Sequence, residues 1–161
     1  EVVNFETASA IAKERILGRD QYLGEHPVAM EIVNKKITSG SVDTGFAAMN
    51  DLLQSNPGLK GVWGINDASA QGAIAALKEA GKQAGEIAVA GIDGSAESAK
   101  LIIEGWQLGT SACYPQQLGK TAVEEMYKVM DGHKPVKQDI RIPVVWIDES
   151  NIHSYTGFDQ K

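Results

Sequence analysis

Strand and helix patterns alternate five times along this chain, and the alternation predicts an α/β, Rossmann-like (flavodoxin-like) fold. That means a parallel sheet with right-handed crossovers and helices on both faces. Two further observations carry the prediction. The stretch from Leu59 to Ser95 reads as one βαβ unit, LKGVWGIN, DASAQGAIAALKEAGK and EIAVAGIDGS. Its strand segments, Val62-Trp63-Ile65 and Ile87 to Ile92, are short continuous apolar runs, as strands covered on both faces require.

The helix inside that unit carries Ala70, Ala73, Ile74 and Leu77 at helical spacing, an apolar stripe for the sheet. Gly72 allows close backbone approach, and Asp67 is placed to cap the helix. Each strand ends in a polar residue, Asn66 and Asp93. Ligands of such folds sit beyond the carboxyl ends of parallel strands, where strand-end side chains and helix N-termini converge. Asn66 and Asp93 are therefore the first two binding candidates, although both residue types also serve turns.

Taken in order, Val2 to Phe5 predict a first strand and Thr7-Ala8-Ser9 a polar turn. A helix follows from about Ala10 to Leu23, with Ile11, Ile16 and Tyr22 on its buried side and Gly24 closing it. Arg15 lies early in this helix, where a solvated surface role and a cleft-facing role both fit. Val28, Met30 and Ile32 alternate with other residues, predicting a second strand that ends near Lys36. The loop ITSGSVDTG, with Ser39-Gly40, leads to a helix from about Thr44 to Gln54 whose face is Phe46, Met49, Leu52 and Leu53. Beyond the central unit come a short helix from Ala96 to Glu104 and a fifth strand from Gln107 to Cys113 with Trp106 packing at its amino end. Pro115 opens a helix in which Leu118, Ala122, Met126 and Val129 repeat at helical spacing, and Asp131-Gly132 stops it. Ile140 to Ile147 predict a last strand, and the remainder reads as a polar tail.

Composition narrows the function classes. The 161 residues suit one domain, 43% apolar and 22% charged. With 15 basic against 21 acidic residues and a formal net charge of −6, the chain lacks the clustered cations that phosphate-backbone binding needs, which argues against nucleic acid as a partner. The single cysteine, Cys113, excludes an internal disulfide and a Cys-rich metal site. No apolar run approaches the ~20 residues of a membrane span, so membrane insertion is not expected. The opening EVVNFETAS lacks the regions of a signal peptide and reads as a strand entered partway, so the chain is expected to begin inside something longer.

No enzyme signature stands out. GIDGS and WGIND are not a dinucleotide fingerprint, and neither a phosphate loop nor a nucleophile elbow is present. His26, His133 and His153 stand far apart without ligand spacing, and Asp148-Glu149 reads as a solvated acidic pair. No cofactor or metal is expected. The strand-end set of Asp93, Asn66 and Arg15 is a planar carboxylate, a planar amide and a guanidinium. Such groups hydrogen-bond adjacent hydroxyls in pairs, which suits sugar or polyol recognition better than bond cleavage.

With those residues identified, the chain closely resembles the carboxyl-terminal half of the ribose-type periplasmic sugar-binding proteins, whose fold is shared with LacI-type regulator cores. The matching segments are SAIAKERILGRD, NDLLQSNPGLKGVWGINDASAQGAIAALKEAGK, IAVAGIDGSAESAKLIIEGWQLGTSACYPQQLGKTAVEEMYKVMDG and IPVVWIDESNI. They cover nearly the whole chain, and the combination of ND with GIDG is specific. The resemblance implies the second lobe of a type 1 periplasmic binding protein, with Arg15, Asn66 and Asp93 as hydroxyl contacts. Two departures stand out: Cys113 where the family commonly has a glutamine, and Ser39-Gly40 where many ribose-type members have an aromatic. They put Cys113 and Gly40 at the ligand and suggest a ligand other than ribose.

The resemblance further implies that residues 1–113 form the second lobe, that 114–145 cross to a missing first lobe, and that 146–161 return. The stripe of Leu118, Met126 and Val129 would then need the absent lobe or a second copy of the chain. The implied function is a solute-binding component that delivers a sugar or polyol to an ABC transporter permease in the periplasm, or outside a Gram-positive cell on a lipid anchor. The alternatives are the effector core of a LacI-type regulator and the extracellular sensory domain of a receptor; an enzyme is the least expected.

Overall fold

The computed structural model describes residues 9–27, 31–134 and 140–157. Five helices are described, α1 (Ala10–Glu25), α2 (Val42–Ser55), α3 (Asp67–Glu79), α4 (Ala96–Ile103) and α5 (Pro115–Met130). Four strands, β1 (Gly61–Trp63), β2 (Ala88–Asp93), β3 (Gly109–Ala112) and β4 (Val145–Asp148), form one sheet in the order β1-β2-β3-β4. The expected strand at Val2 to Phe5 lies outside the described residues, as do Val28 and Met30 of the second. Residues 31–39 carry no strand, so in its described part that expectation is corrected to irregular chain.

Val62 pairs in register with Val89, and both join one core with Met49 and Leu52 of α2, Ala70, Ala73, Ile74 and Leu77 of α3, and Leu101 of α4. Because strand side chains alternate, Trp63 points to the opposite face, where the Arg19 guanidinium of α1 lies 5.1 Å from its ring centroid. Helices therefore cover both faces. Helix α1 reaches Glu25, two residues past the expected stop and through Gly24, where His26 caps it and stacks on Tyr22. Its buried side also differs from expectation: Ala12 is buried, while Ile11 and Tyr22 are 65% and 58% exposed.

The sheet is parallel from β1 to β3, but β4 runs antiparallel, correcting the all-parallel expectation. Register explains it. Ala112 at the end of β3 is opposite Val145 at the start of β4, so the chain leaves and re-enters the sheet at the same end. A strand re-entering where its neighbour finished must run backwards. The tail is not merely polar either, since Ile152 is buried in a second core with Ile102, Ala112, Tyr114 and Ile147.

Helices α2 and α3 cross on glycine. A Cβ built on Gly72 would lie 2.6 Å from Phe46 N, and one on Gly45 would lie 2.9 Å from Ser69 Cα. Both contacts are with backbone, so no side chain can rotate away. The expected result of Gly72→Ala is a loss of about 3 kcal/mol of stability, the upper end for overpacking, despite the gain in helix propensity. Urea unfolding checks this, and an unchanged midpoint would mean the helices separate freely.

Candidate ligand-binding site

Three helices begin where a strand has just ended or a loop turns, and each starts on a side-chain cap. Ser41 Oγ accepts from Thr44 N at 3.3 Å, Asn66 Oδ1 from Ser69 N at 2.9 Å, and Ser95 Oγ from Ser98 N at 3.2 Å. The cap of α3 is thus Asn66 and not Asp67, as the sequence had suggested. Asn is among the strongest N-caps, and its extended backbone here (φ −152°, ψ 172°) suits that position.

Asn66 does more than cap. Its Nδ2 donates to the Gly40 carbonyl at 2.9 Å, which ties the Ser39-Gly40 loop to the end of β1. One amide hydrogen and one carbonyl lone pair remain for anything outside. Gly40 takes φ 77°, a value that favours glycine, at this contact.

Arg15 joins the ends of two strands. Its Nη2 donates to Asp93 Oδ1 at 2.7 Å and its Nη1 to the Ile65 carbonyl at 2.9 Å. The two side chains are 22% and 38% exposed, so the pair sits at a partly wet rim. Asp93 itself has φ 132°, the one positive value among non-glycine described residues. Such a conformation costs on the order of 1–3 kcal/mol and persists where the surroundings over-determine it. Burial raises the Asp93 carboxyl above its ordinary value of 3.8, and the charge and hydrogen bond of Arg15 pull the other way without cancelling the rise.

Cys113 follows β3 directly. Its Sγ lies 3.9 Å from the Ser111 carbonyl, and burial raises its thiol above 9.0 against the pull of Arg15, which keeps it a neutral, weak donor. A cavity of about 430 Å³ opens beside Asp93, lined also by Asp67, Gln71, Ser95, Cys113 and Pro115. The five expected site residues fall into two linked groups. Arg15, Asp93 and Cys113 form one; Asn66 and Gly40 form the other; the Arg15 bond to the Ile65 carbonyl connects them.

Sequence reasoning missed three residues behind this rim. Asp67, only 2% exposed, accepts from Ser95 N and Thr110 Oγ1, each at 2.7 Å. Thr110 is 1% exposed, and Tyr155 donates its hydroxyl to the Gly94 carbonyl at 2.7 Å, with burial pushing its phenol up to about 12. The ND dipeptide is the signal in the sequence for Asp67, where it suggests a cap; nothing in the sequence singles out Thr110 or Tyr155. Among the described residues no cluster of three His, Cys, Asp or Glu could hold a metal ion, and no helix is long and apolar enough to cross a membrane.

The D-apiose import binding protein of Actinobacillus succinogenes is 31% identical over 149 residues, which cover 91% of this chain and 47% of that protein. The ribose import binding protein of Escherichia coli K12 is 37% identical over 90 residues, 56% of this chain and 30% of its own. Among solved structures, a solute-binding protein of Bacillus halodurans with bound myo-inositol is 27% identical with a TM-score of 0.85, covering 96% of this chain and 52% of that one. A second, from Actinobacillus succinogenes with bound D-allose, is 21% identical with a TM-score of 0.87 over 96% of this chain and 53% of its own, and shows the same fold. This chain spans about half the length of the relatives it matches, or less. Residues 1–134 match the family model described as the periplasmic binding protein domain, and by that match, together with these relatives, the chain belongs to that family.

Proposed function

We propose that this chain is the second lobe of the solute-binding component of a sugar or polyol ABC transporter, working outside the cytoplasmic membrane and delivering its ligand to a permease. The observation that carries the reading is the Arg15–Asp93 pair at the carboxyl ends of β1 and β2, beside an open cavity. Asp93 accepts from two neighbouring hydroxyls, Arg15 donates to a third oxygen, and Asn66 offers its remaining amide hydrogen. In this reading all three groups recognise hydroxyls, as fits a chain whose relatives are import binding proteins. Gly40 fixes Asn66 through its carbonyl, and Cys113 presents a nearly apolar wall to the cavity that suits a ligand with fewer hydroxyls on that side than ribose.

The other jaw lies in the first lobe. Helix α5 has no buried residue, and Leu118, Val123, Met126, Tyr127, Val129 and Met130 are all exposed on it. A helix so apolar belongs against a sheet. In this reading residues 1–113 are one lobe, 114–145 cross to the other, and 146–161 return; the antiparallel entry of β4 at Val145 supports the return point. Closure is a hinge motion, driven by the ligand's higher affinity for the closed form.

Calorimetry of the complete protein against D-ribose, D-allose, D-apiose and myo-inositol tests the reading. Binding of at least one at micromolar affinity is expected, and heat from none of them overturns it. Curated relatives that are import proteins favour transport over a regulator core.

Affinity should also fall in acid. The ionised Asp93 pairs with Arg15 and accepts hydroxyls, and its raised pKa means that it takes a proton above the pH at which an exposed aspartate does. Dissociation constants measured downward from neutral pH should therefore weaken as the pH passes through that raised value, and an Asp93→Asn variant should lose the dependence. The stability term has the opposite sign. With the folded value above the unfolded one, the ionised carboxylate destabilises the fold at neutral pH, and protonation relieves it.

A further inference from the structure

Three of the four backbone polar groups of Gly94 and Ser95, just beyond Asp93, are held by side chains from other elements. The Gly94 N–H donates to Thr110 Oγ1 at 3.2 Å, the Gly94 carbonyl accepts from the Tyr155 hydroxyl at 2.7 Å, and the Ser95 N–H donates to Asp67 Oδ2 at 2.7 Å. Thr110 is a relay: while accepting from Gly94 it donates to Asp67 Oδ1 at 2.7 Å. Strand β3, helix α3 and the C-terminal tail thus converge on two consecutive residues. Gly94, at φ 82°, completes the arrangement, since a Cβ there would lie 2.6 Å from Ala112 Cβ.

Neither Thr110 nor Tyr155 lines the cavity. Their targets, however, adjoin the one described non-glycine residue with positive φ, and that residue carries the carboxylate at the rim. A strained conformation needs surroundings that fix it, and bonds to a buried carboxylate are about twice as strong as neutral ones. We infer that Asp67, Thr110 and Tyr155 form a brace that holds Asp93 in its strained conformation and so aims its carboxylate at the ligand. Thr110 and Tyr155 are then positioning residues for a ligand that they do not touch. The inference rests on Asp93 being a ligand contact, as proposed above.

Two substitutions at one position separate aiming from mere packing. Thr110→Val keeps the volume and removes the hydroxyl, leaving Gly94 N–H and Asp67 Oδ1 without their partner. Thr110→Ser keeps the hydroxyl and removes a buried methyl. In the complete protein, titrated with D-ribose, D-allose, D-apiose and myo-inositol, Thr110→Val should weaken binding about tenfold, while Thr110→Ser stays within about threefold of native. A packing role predicts no such rescue, because Ser leaves a void that Val does not. Tyr155→Phe, which deletes one bond and keeps the ring, should weaken binding severalfold. Thr110→Val within twofold of native, or Thr110→Ser as weak as Thr110→Val, overturns the brace. Asp93→Asn, measured in parallel, keeps the two readings apart. If it binds as well as native, or if native binds none of the four, the ligand assignment fails. If Asp93→Asn loses affinity and Thr110→Val does not, the brace alone fails.

Discussion

In the sugar-binding reading proposed above, replacing Asp93 with asparagine is expected to lower the affinity of the complete protein by about two orders of magnitude, because it removes a charged acceptor at the rim and leaves Arg15 without its carboxylate. The substitution is a clean one. Asn has nearly the same shape, so it removes the charge with little change in volume at this strained position, φ 132°. Stability moves the other way or stays level, since burial disfavours the charged form of this group. Titration calorimetry should therefore show a loss on the variant for which thermal unfolding shows none. An affinity within threefold of native would remove Asp93 from the site, and with it the reason for placing a polyol there.

Expressed alone, these 161 residues should associate, and three substitutions on α5 should stop it. Leu118, Met126 and Val129 occupy one stripe and are 52%, 57% and 49% exposed, with Val123, Tyr127 and Met130 on the stripe beside it. Burying an apolar side chain of this size contributes about 1.5–3 kcal/mol, so covering the face offers on the order of 5–10 kcal/mol before the cost of association. Sedimentation velocity should show a concentration-dependent species larger than a monomer. Leu118→Ser, Met126→Ser and Val129→Ser together should return it to a monomer. In the complete protein the same three changes should cost about 5 kcal/mol or more of stability if the proposed first lobe covers the face. A wild-type chain that stays monomeric, paired with a complete protein indifferent to the triple change, would mean that α5 is built for water.

The elements written in continuous or periodic apolar runs were legible. Helix α5 begins at Pro115 and yields at Asp131-Gly132, because proline suits a first turn and glycine a last one. Helix α3 and strands β1 and β2 follow from Ala70, Ala73, Ile74, Leu77, Val62 and Val89, whose burial their spacing announced. Helix α1 is legible only in part on its buried side, since Ile16 is half-buried as expected, Ile11 and Tyr22 are apolar yet face outward, and Ala12 is the residue fully covered. Its pattern is too weak to specify a face. The direction of β4 was also illegible, because side-chain alternation is the same whichever way a strand runs.

By itself, the sequence determined which residue types stand at strand ends: Arg15 early in a helix, Asn66 and Asp93 after apolar runs, Cys113 after the next one. Periodicity and turn chemistry are local, so they can be read locally. Only the tertiary structure decided what those groups do to one another. It makes Asn66 a cap and a tether for Gly40, couples Arg15 to Asp93 across 78 positions, and brings Thr110 and Tyr155 behind a turn that lies 16 and 61 positions away. Hydrogen bonds between distant positions depend on register and crossover, and no spacing in the sequence encodes them.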